Sequence, residues 1–260
     1  MALGPAWQIV APDRADAGPP VVAAAIHDGH ILRDDVRAIS GLTDDERLRE
    51  EDPFTAAWAE RLAATRIIGR RSRFEFDLNR PPEKAVYRTP EDAWGLSVWR
   101  KPPPESLLIQ SQSLYQGFYD EVTAAFETLL QTHPRLLVVD LHTYNHRRGG
   151  PDALPADGAT NPEVNLGTGN VDRATFGPVI ERFMETLPSS LDVRENVKFL
   201  GGYFGQFLND RFPGRVCVLS IEVKKFFMDE WTGELNVPMH AEIGAALSAA
   251  TEAAVEELPH

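Results

Sequence analysis

Histidine and carboxylate side chains that could bind a metal stand in or after three apolar runs of the sequence. His27 ends the run "VVAAAIH", His142 ends "RLLVVDLH", and Glu222 lies inside "RVCVLSIEV". Two histidines and one carboxylate can hold Zn²⁺ and leave a fourth position open, which is the ligand set of a hydrolytic zinc site. A further carboxylate can then carry a proton to a leaving amine. These residue types therefore indicate metal-assisted hydrolysis.

Two other segments could complete such a site. The acidic cluster at 50–52 offers a third metal ligand, and Arg80 offers a guanidinium fork that suits a substrate carboxylate. Both have an ordinary structural explanation, since acidic residues stabilise the first turn of a helix and Asn-Arg-Pro can end a strand. Glu222 is harder to explain in this way, because a charge inside a buried strand needs a partner.

Short apolar strands alternate with amphipathic helices along the chain. We predict strands at 21–27, 66–69, 73–79, 135–142 and 215–223, and helices at 51–65, 113–133, 172–187, 203–212 and 241–258. Long loops are predicted at 81–106 and 147–162. This alternation predicts an α/β layered fold with a mixed, mostly parallel central sheet. In such sheets ligands bind beyond the carboxyl ends of the strands, where the candidate residues stand.

The composition limits the class of protein. A chain of 260 residues that is 43% hydrophobic can bury one core, so we predict an extended lead-in at 1–20 and a single domain at 21–260. The formal net charge of -13 argues against a nucleic-acid partner. We see no signal peptide and no apolar run that is long enough to cross a membrane, so we expect a cytoplasmic protein. The single cysteine, Cys217, excludes an intramolecular disulfide and a multi-cysteine zinc site.

In their order along the chain, these segments resemble the N-formylglutamate amidohydrolases (N-formylglutamate deformylases), distant relatives of the zinc carboxypeptidases. The most specific match is "SRFEFDLNRPPEKAVY", which is close to the Ser-Arg-Phe-x-x-Asp-Leu-Asn-Arg-Pro block of that family. Its other motifs are matched by "IHDGH", "REEDPFTAAWAERL", "VVDLHTY", "EVNLGTGN", "NVKFLGGYF" and "SIEVKKFFMDE". Together the matches span residues 21–232, which is most of the chain.

The resemblance implies a zinc-dependent amidohydrolase with a three-layer α/β/α fold like that of the zinc carboxypeptidases. It implies one Zn²⁺ per chain, with the metal ligands His27, Asp52 and His142. The implied reaction is hydrolysis of the amide bond of a small N-formyl or N-acyl amino acid. For N-formyl-L-glutamate the products are formate and glutamate, which feed histidine degradation.

The resemblance also implies roles for residues around the metal. Glu222 would act as general base and then as general acid, with Arg80 as a second catalytic residue. The substrate-binding residues would be Arg73, Asn79, Arg80 and Thr168.

Several alternatives stay open at this level. Glu51 is the neighbour of Asp52 and has a longer reach, and His30 lies three residues beyond His27, so either could bind the metal instead. The loop at 81–106 and the segment "RRGGPDALP" match no part of the family, and such loops decide substrate choice. Another N-acyl amino acid or a peptide is therefore an alternative substrate, and a non-catalytic carboxylate-binding protein of the same fold is an alternative function. The oligomeric state is open.

Overall fold

The structure, a computed structural model, describes residues 4–11 and 18–259. Its strands, numbered along the chain, are β1 (Trp7–Val10), β2 (Val21–Ala25), β3 (Thr65–Gly69), β4 (Leu136–Tyr144), β5 (Val164–Gly167), β6 (Val193–Glu195) and β7 (Val216–Lys224). The helices are α1 (Asp34–Ile39), α2 (Asp44–Glu50), α3 (Thr55–Leu62), α4 (Glu105–Leu129), α5 (Arg173–Thr186), α6 (Tyr203–Arg211) and α7 (Val237–Val255).

The seven strands form one mixed sheet in the order β1-β3-β2-β4-β7-β5-β6. The four adjacent strands β3, β2, β4 and β7 run parallel to one another. At one side β1 is antiparallel to β3, and at the other β5 is antiparallel to β7 and carries β6 parallel to itself. The predicted mixed sheet is confirmed, and the four parallel strands bring their carboxyl ends to one edge.

Alternate residues of the central strands pack into two separate cores. In β4, Leu137, Val139 and Leu141 belong to a core that includes residues of α3, α5 and α7. Leu136 and Val138 belong to the opposite core, with residues of α4 and α6. Because successive side chains of a strand point to opposite faces, helices cover both faces and produce three layers. Each fully buried aliphatic side chain of these cores contributes about 2 kcal/mol.

The face of the sheet beneath α4 and α6 becomes polar toward the carboxyl ends of β4 and β7. In β4 the apolar residues on that face are followed by Asp140 and His142, and in β7 they are followed by Ser220 and Glu222. The parallel register places His142 directly beside Glu222. The sheet therefore brings together a histidine and a glutamate that lie 80 residues apart in the sequence.

Residues 73–79 do not form the predicted strand but a series of turns. Phe76 and Leu78 pack into the α4–α6 core, whereas Phe74 packs in a small separate cluster. The polar neighbour Asp77 is buried rather than exposed, and its Oδ1 accepts the amide of Asn79 at 2.8 Å. Such local side-chain bonds to the backbone compete with sheet pairing, and here they produce turns where alternation predicted a strand.

Several shorter elements differ from the sequence predictions. The predicted lead-in includes β1, while residues 1–3 and 12–17 of it lie outside the described part of the chain. Helices α1 and α2 had no periodic signal because they are only six and seven residues long. Helix α4 begins at Glu105, so the irregular segment before it is shorter and contains two 3₁₀ turns, Pro82–Lys84 and Pro90–Ala93.

Within the described ranges, none of the helices combines the length and apolar character that crossing a bilayer requires.

Candidate metal centre and active site

Two histidines and an aspartate from three separate segments converge in the interior. His27 follows β2, Asp52 lies between α2 and α3, and His142 is in β4, and all three are buried. Nδ1 of His142 lies 3.0 Å from Oδ2 of Asp52, and Nδ1 of His27 lies 3.4 Å from the same oxygen. One potential ligand atom from each residue lies within 4.8 Å of the others. Three side chains that could hold a metal ion thus surround one point.

The His27 ring is held so that one nitrogen is left for a metal. Its Nε2 lies 2.7 Å from Oδ1 of Asp77, and this contact assigns the ring proton to Nε2 as a hydrogen-bond donor. The buried Nδ1 has no hydrogen-bond partner among the described residues. It therefore directs a lone pair toward Asp52. A buried unsatisfied imidazole nitrogen beside a carboxylate and a second imidazole fits a zinc ion.

The His142 ring is flanked by Asp52 on one side and Asp140 on the other. Oδ2 of Asp140 lies 3.1 Å from Nε2 of His142. Burial alone would lower the pKa of His142, but Asp140 and then Asp52 raise it well above its usual range. Burial alone would raise the pKa of Asp52, but His142 and His27 lower it below its usual range. The two opposite shifts have the same cause, which is the close pairing of Asp52 with the imidazoles.

Asp77 and Asp140 stand behind the two histidines. Burial opposes ionisation of Asp77, but the charge of Arg73 and then that of His27 lower its pKa well below its usual range. A carboxylate behind a metal-binding imidazole fixes the orientation of the ring and increases its basicity. Asp77 forms such a hydrogen bond with His27, whereas Asp140 lies at ion-pair distance from His142 without a hydrogen bond to its oxygens among the described residues.

Glu51 directs its carboxylate away from the two histidines. Its Oε2 lies 2.5 Å from Nδ1 of His30, and its Oε1 accepts a hydrogen bond from the Ser72 hydroxyl and lies 3.5 Å from Nη1 of Arg47. Arg47 also donates to the backbone carbonyl of His30 at 2.9 Å. Glu51 is buried and bonded to the partly exposed His30, and the geometry favours Asp52 over both as the third ligand.

The backbone around Asp52 fixes its position. The acidic cluster does not begin a helix as predicted, because α2 ends at Glu50 and α3 begins only at Thr55. The amide of Asp52 donates to the carbonyl of His27 at 3.0 Å. Phe54, two residues later, has a φ of 72°, a left-handed conformation that costs a non-glycine residue about 1 kcal/mol. The short linker between the helices therefore turns sharply beside the end of β2.

The turn after His27 needs a glycine because of space rather than a left-handed φ. A Cβ on Gly29 would lie only 2.3 Å from the carbonyl carbon of Arg70. Gly29 is not among the glycines of positive φ. The close approach seats "IHDGH" against the segment that follows β3.

Glu222 lies at the wall of the cavity above the histidines. Burial raises its pKa to about 8, and the charge of His142 opposes this increase. No hydrogen bond to its carboxylate is found within the described residues. A carboxyl group whose pKa lies near neutral pH can both accept and donate a proton, as general acid–base catalysis requires.

A cavity of about 490 Å³ opens over this cluster. Its lining contains His27, Asp52, His142 and Glu222, together with the apolar side chains Trp94, Phe199 and Leu200. Five cations also line it: Arg73, Arg80, Arg148, Lys198 and Lys225. In a chain of net charge -13, this concentration of positive charge favours an anionic ligand.

A model of the N-formylglutamate amidohydrolase family matches residues 19–228. The chain belongs to this family. Membership supports hydrolysis of an amide bond in a small-molecule substrate. No curated protein matches the chain significantly by sequence.

Solved structures show the same fold. The N-formylglutamate amidohydrolase from Ralstonia eutropha JMP134 aligns with a TM-score of 0.74 at 17% identity, over 97% of this chain and 98% of that one. A gene product of Agrobacterium tumefaciens aligns with a TM-score of 0.64 at 20% identity, over 94% of this chain and 96% of that one. The α/β fold that we predicted from the sequence is confirmed.

The Asp-Leu-Asn-Arg-Pro block of the N-formylglutamate amidohydrolases lies at the rim of the cluster. Nη2 of Arg73 lies 2.7 Å from Oδ2 of Asp77, so the charge of Arg73 is largely neutralised. Nδ2 of Asn79 lies 3.3 Å from Nε2 of His142, and Oδ1 of Asn79 accepts the amide of Phe204 at 3.0 Å. Asn79 needs a glycine beside it, because a Cβ on Gly202 would lie 2.2 Å from its Oδ1.

Arg80 lines the cavity without a carboxylate partner among the described residues. Its Nη2 donates to the backbone carbonyl of Asp92 at 3.3 Å, and its guanidinium lies 5.8 Å from the centre of the Tyr87 ring. The guanidinium therefore keeps its charge available for an anion.

Thr168 lies apart from these residues. Its hydroxyl donates to Glu195, and its amide donates to Oδ1 of Asn196 at 2.9 Å. Within the described part of the chain, the cavity lining does not include Thr168. Its role in substrate binding stays a prediction.

Sequence reasoning did not single out Lys225, Lys198 or Arg148. Lys225 directly follows β7, and its buried ammonium donates to the carbonyl of Arg49 at 2.5 Å and to that of Glu51 at 2.7 Å. Burial lowers its pKa to about 8. The double lysine in "EVKK" is the sequence feature that could have indicated Lys225. Arg148 lies in the loop that matched no part of the family.

Proposed function

We propose that the protein is a zinc-dependent hydrolase of N-formyl or N-acyl amino acids, with N-formyl-L-glutamate as its foremost substrate. Its place in histidine degradation stays a prediction from the resemblance, and its cytoplasmic location stays a prediction from the sequence. The observation that carries the proposal is the buried, unsatisfied Nδ1 of His27, which faces Asp52 and His142 at the base of a cationic cavity.

One zinc ion would be held by His27, Asp52 and His142. When bound there, it would supply Lewis acidity toward the amide carbonyl and the attacking water. Asp77 and Asp140 orient the two imidazoles and keep their ligand atoms directed inward.

Glu222 is the proton carrier of the proposed reaction. Its carboxylate takes a proton from the water that attacks the carbonyl carbon and gives it to the nitrogen as the carbon–nitrogen bond breaks. Burial of Glu222 raises its pKa, and burial therefore favours the protonated form that the second transfer needs. With N-formyl-L-glutamate the products are formate and glutamate.

Arg80 binds a carboxylate of the substrate. A guanidinium and a carboxylate form charge-assisted hydrogen bonds, which hold the amide in register with Glu222. Arg73 and Asn79 stand beside this position, and their contacts with Asp77 and His142 connect the substrate-binding rim to the metal ligands.

The variant Glu222→Gln tests the proposal. We expect it to keep its zinc and to lose on the order of 10²- to 10⁴-fold in kcat, because the amide cannot carry the proton. Zinc analysis and formate release from N-formyl-L-glutamate by purified protein measure both properties. The matched control is Glu242→Gln on the exposed surface of α7, which should leave both unchanged.

Two results would contradict the proposal. Unchanged turnover in Glu222→Gln would remove Glu222 from the chemistry. A metal content below about 0.2 zinc per chain after gentle purification, with no activity on zinc addition, would favour a non-catalytic binding protein.

A further inference from the structure

Two of the five cations around the cavity have side chains poised to bind a free anion. Arg73 pairs with Asp77, and Arg148 forms two hydrogen bonds with the carboxylate of Glu50 at 3.0 and 3.2 Å. Lys225 is buried and donates to backbone carbonyls. Within the described residues, Arg80 and Lys198 have no carboxylate at ion-pair distance. The cavity thus offers two separate positive groups to a ligand.

These two cations come from different parts of the fold. Arg80 follows the turns after β3, on one side of the sheet order, and Lys198 lies in the loop after β6, at the other end. A ligand that contacts both must carry two negative groups if both charges are to be neutralised.

The loop that carries Lys198 is fixed to strand β5 through Asn165. Oδ1 of this fully buried residue accepts the amides of residues 197, 198 and 199 at 3.1, 2.8 and 3.3 Å, and its Nδ2 donates to the carbonyl of Phe199 at 2.9 Å. Asn165 lies in β5 directly opposite Glu222 in β7. The backbone of Lys198 is therefore positioned by the strand that pairs with the proton carrier.

The ammonium of Lys198 is also oriented. It donates to Oδ1 of Asn161 at 2.8 Å, and it lies 5.3 Å from the ring centre of Tyr144 and 5.6 Å from that of Phe199. Asn161 is buried, and its Nδ2 is occupied by bonds to Asp157 and Thr160. Because one donor of the ammonium is used, two remain for a ligand.

The charges near Lys198 are arranged in favour of an incoming anion. Lys198 is an exposed residue, but partial desolvation of its ammonium lowers its pKa, the charge of Arg148 lowers it further, and that of Glu222 opposes both. A carboxylate placed on the ammonium would offset the repulsion from Arg148.

We propose that Lys198 binds the second carboxylate of a dicarboxylic N-acyl amino acid whose first carboxylate is bound by Arg80. Lys198 is then a specificity-determining residue, which selects an acidic side chain on the substrate over a neutral one of the same size. This inference rests on the proposed function of the same cavity and adds the residue that chooses the substrate.

The test compares N-formyl-L-glutamate with its neutral isostere N-formyl-L-glutamine in zinc-loaded protein. We expect the native enzyme to prefer the glutamate compound in kcat/KM by about 30-fold, the effect of one charge-assisted hydrogen bond. In Lys198→Met this preference should fall to about 3-fold or less, through a higher KM for the glutamate compound. Lys198→Arg should restore most of it.

The matched control is Lys84→Met, which removes an exposed lysine outside the cavity and should leave the preference unchanged. An equal loss for both substrates in Lys198→Met would show a merely structural role and would overturn the inference. So would a native enzyme without preference, or a variant that keeps the full preference. In these cases the amidohydrolase function stands.

A binding measurement separates the two proposals. Calorimetry compares glutarate, which has two carboxylates, with butyrate, which has one. If no N-acyl amino acid is hydrolysed, the proposed function fails. The binding of a dicarboxylate at Lys198 then still stands if Lys198→Met weakens glutarate binding by at least about 10-fold without changing butyrate binding, and it falls if glutarate binding is unchanged.

Discussion

Glu51 and Asp52 are neighbours in the chain, yet they serve two different regions of the molecule. Glu51 is bonded to Ser72 and His30 and lies beside Arg47, so its charge has a cationic and hydrogen-bonding environment supplied by the protein. Asp52 faces two imidazoles, and Nδ1 of one of them, His27, has no hydrogen-bond partner among the described residues. The contacts of Glu51 are complete without a ligand, whereas those around Asp52 are not. A buried acid beside a histidine therefore indicates a metal only where the protein leaves donor atoms unsatisfied.

The largest effect should come from removing the carboxylate of Asp52. In Asp52→Asn we expect zinc to fall below about 0.2 per chain and turnover to fall on the order of 10³-fold, because two imidazoles alone hold zinc weakly. Metal analysis of the purified protein and a formate-release assay measure this.

The matched control is Glu51→Gln, which makes the same chemical change one residue earlier. It should keep zinc and activity within about 3-fold, because its carboxylate faces the network of Ser72 and His30. Loss of zinc in Glu51→Gln with retention in Asp52→Asn would reverse the two assignments.

The complete region should instead control stability. Glu51→Ala removes the carboxylate that Ser72 and His30 bind, while Arg47 keeps its ion pair with Asp44 at 2.5 Å, so we expect the free energy of unfolding of the metal-free protein to fall by about 2 kcal/mol. Urea denaturation measures the change, and the double variant with Arg47→Met should recover part of it. A loss below about 1 kcal/mol would mean that the network contributes little to stability.

The smallest effect is a pH dependence that only the incomplete region should show. The pKa of His142 is raised, so in the metal-free protein its proton is bound below that pKa and lost as pH rises through it. Zinc must displace this proton, and its affinity should therefore increase about tenfold per pH unit between pH 6 and pH 7. Competition with a chelator, corrected for protonation of the chelator, measures the slope.

The variant Asp140→Asn provides the control, since removing this charge lowers the pKa of His142 and should flatten the slope. A zinc affinity that does not depend on pH in the native protein would exclude His142 as the displaced acid.

The central strands and the long helices could be predicted because the pattern of apolar residues within each segment is enough to indicate them. Continuous apolar runs such as "LLVV" produce strands buried on both faces, and amphipathic periodicity produces helices such as α5. The strand prediction for 73–79 was wrong because the alternation of apolar and polar residues came from a buried turn. The polar residues of this turn are hydrogen-bonded inside the protein. Pattern alone does not distinguish a side chain that faces water from one that faces a buried partner.

For the site, the types of ligand could be predicted but not the partners that distinguish them. The choice among Asp52, Glu51 and His30 depends on where each side chain points, and this is decided by Ser72 and Arg47, which carry no signal of chemistry. Lys198 was missed for a similar reason. Its position depends on Asn165, which lies in the separate segment "EVNLGTGN" and accepts the amide of Lys198.

Successive side chains of β4 and β7 point to opposite faces of the sheet, so substitutions in the core and substitutions around the cavity affect different properties. Odd-numbered residues such as Leu141 and Ile221 belong to the core beneath α3, α5 and α7, whereas His142 and Glu222 face the cavity. Substitutions that repack this core can accumulate without altering the chemistry, and changes of substrate choice can arise in the loops without altering the core. One sheet thus lets stability and specificity evolve on opposite faces, provided that its register is kept.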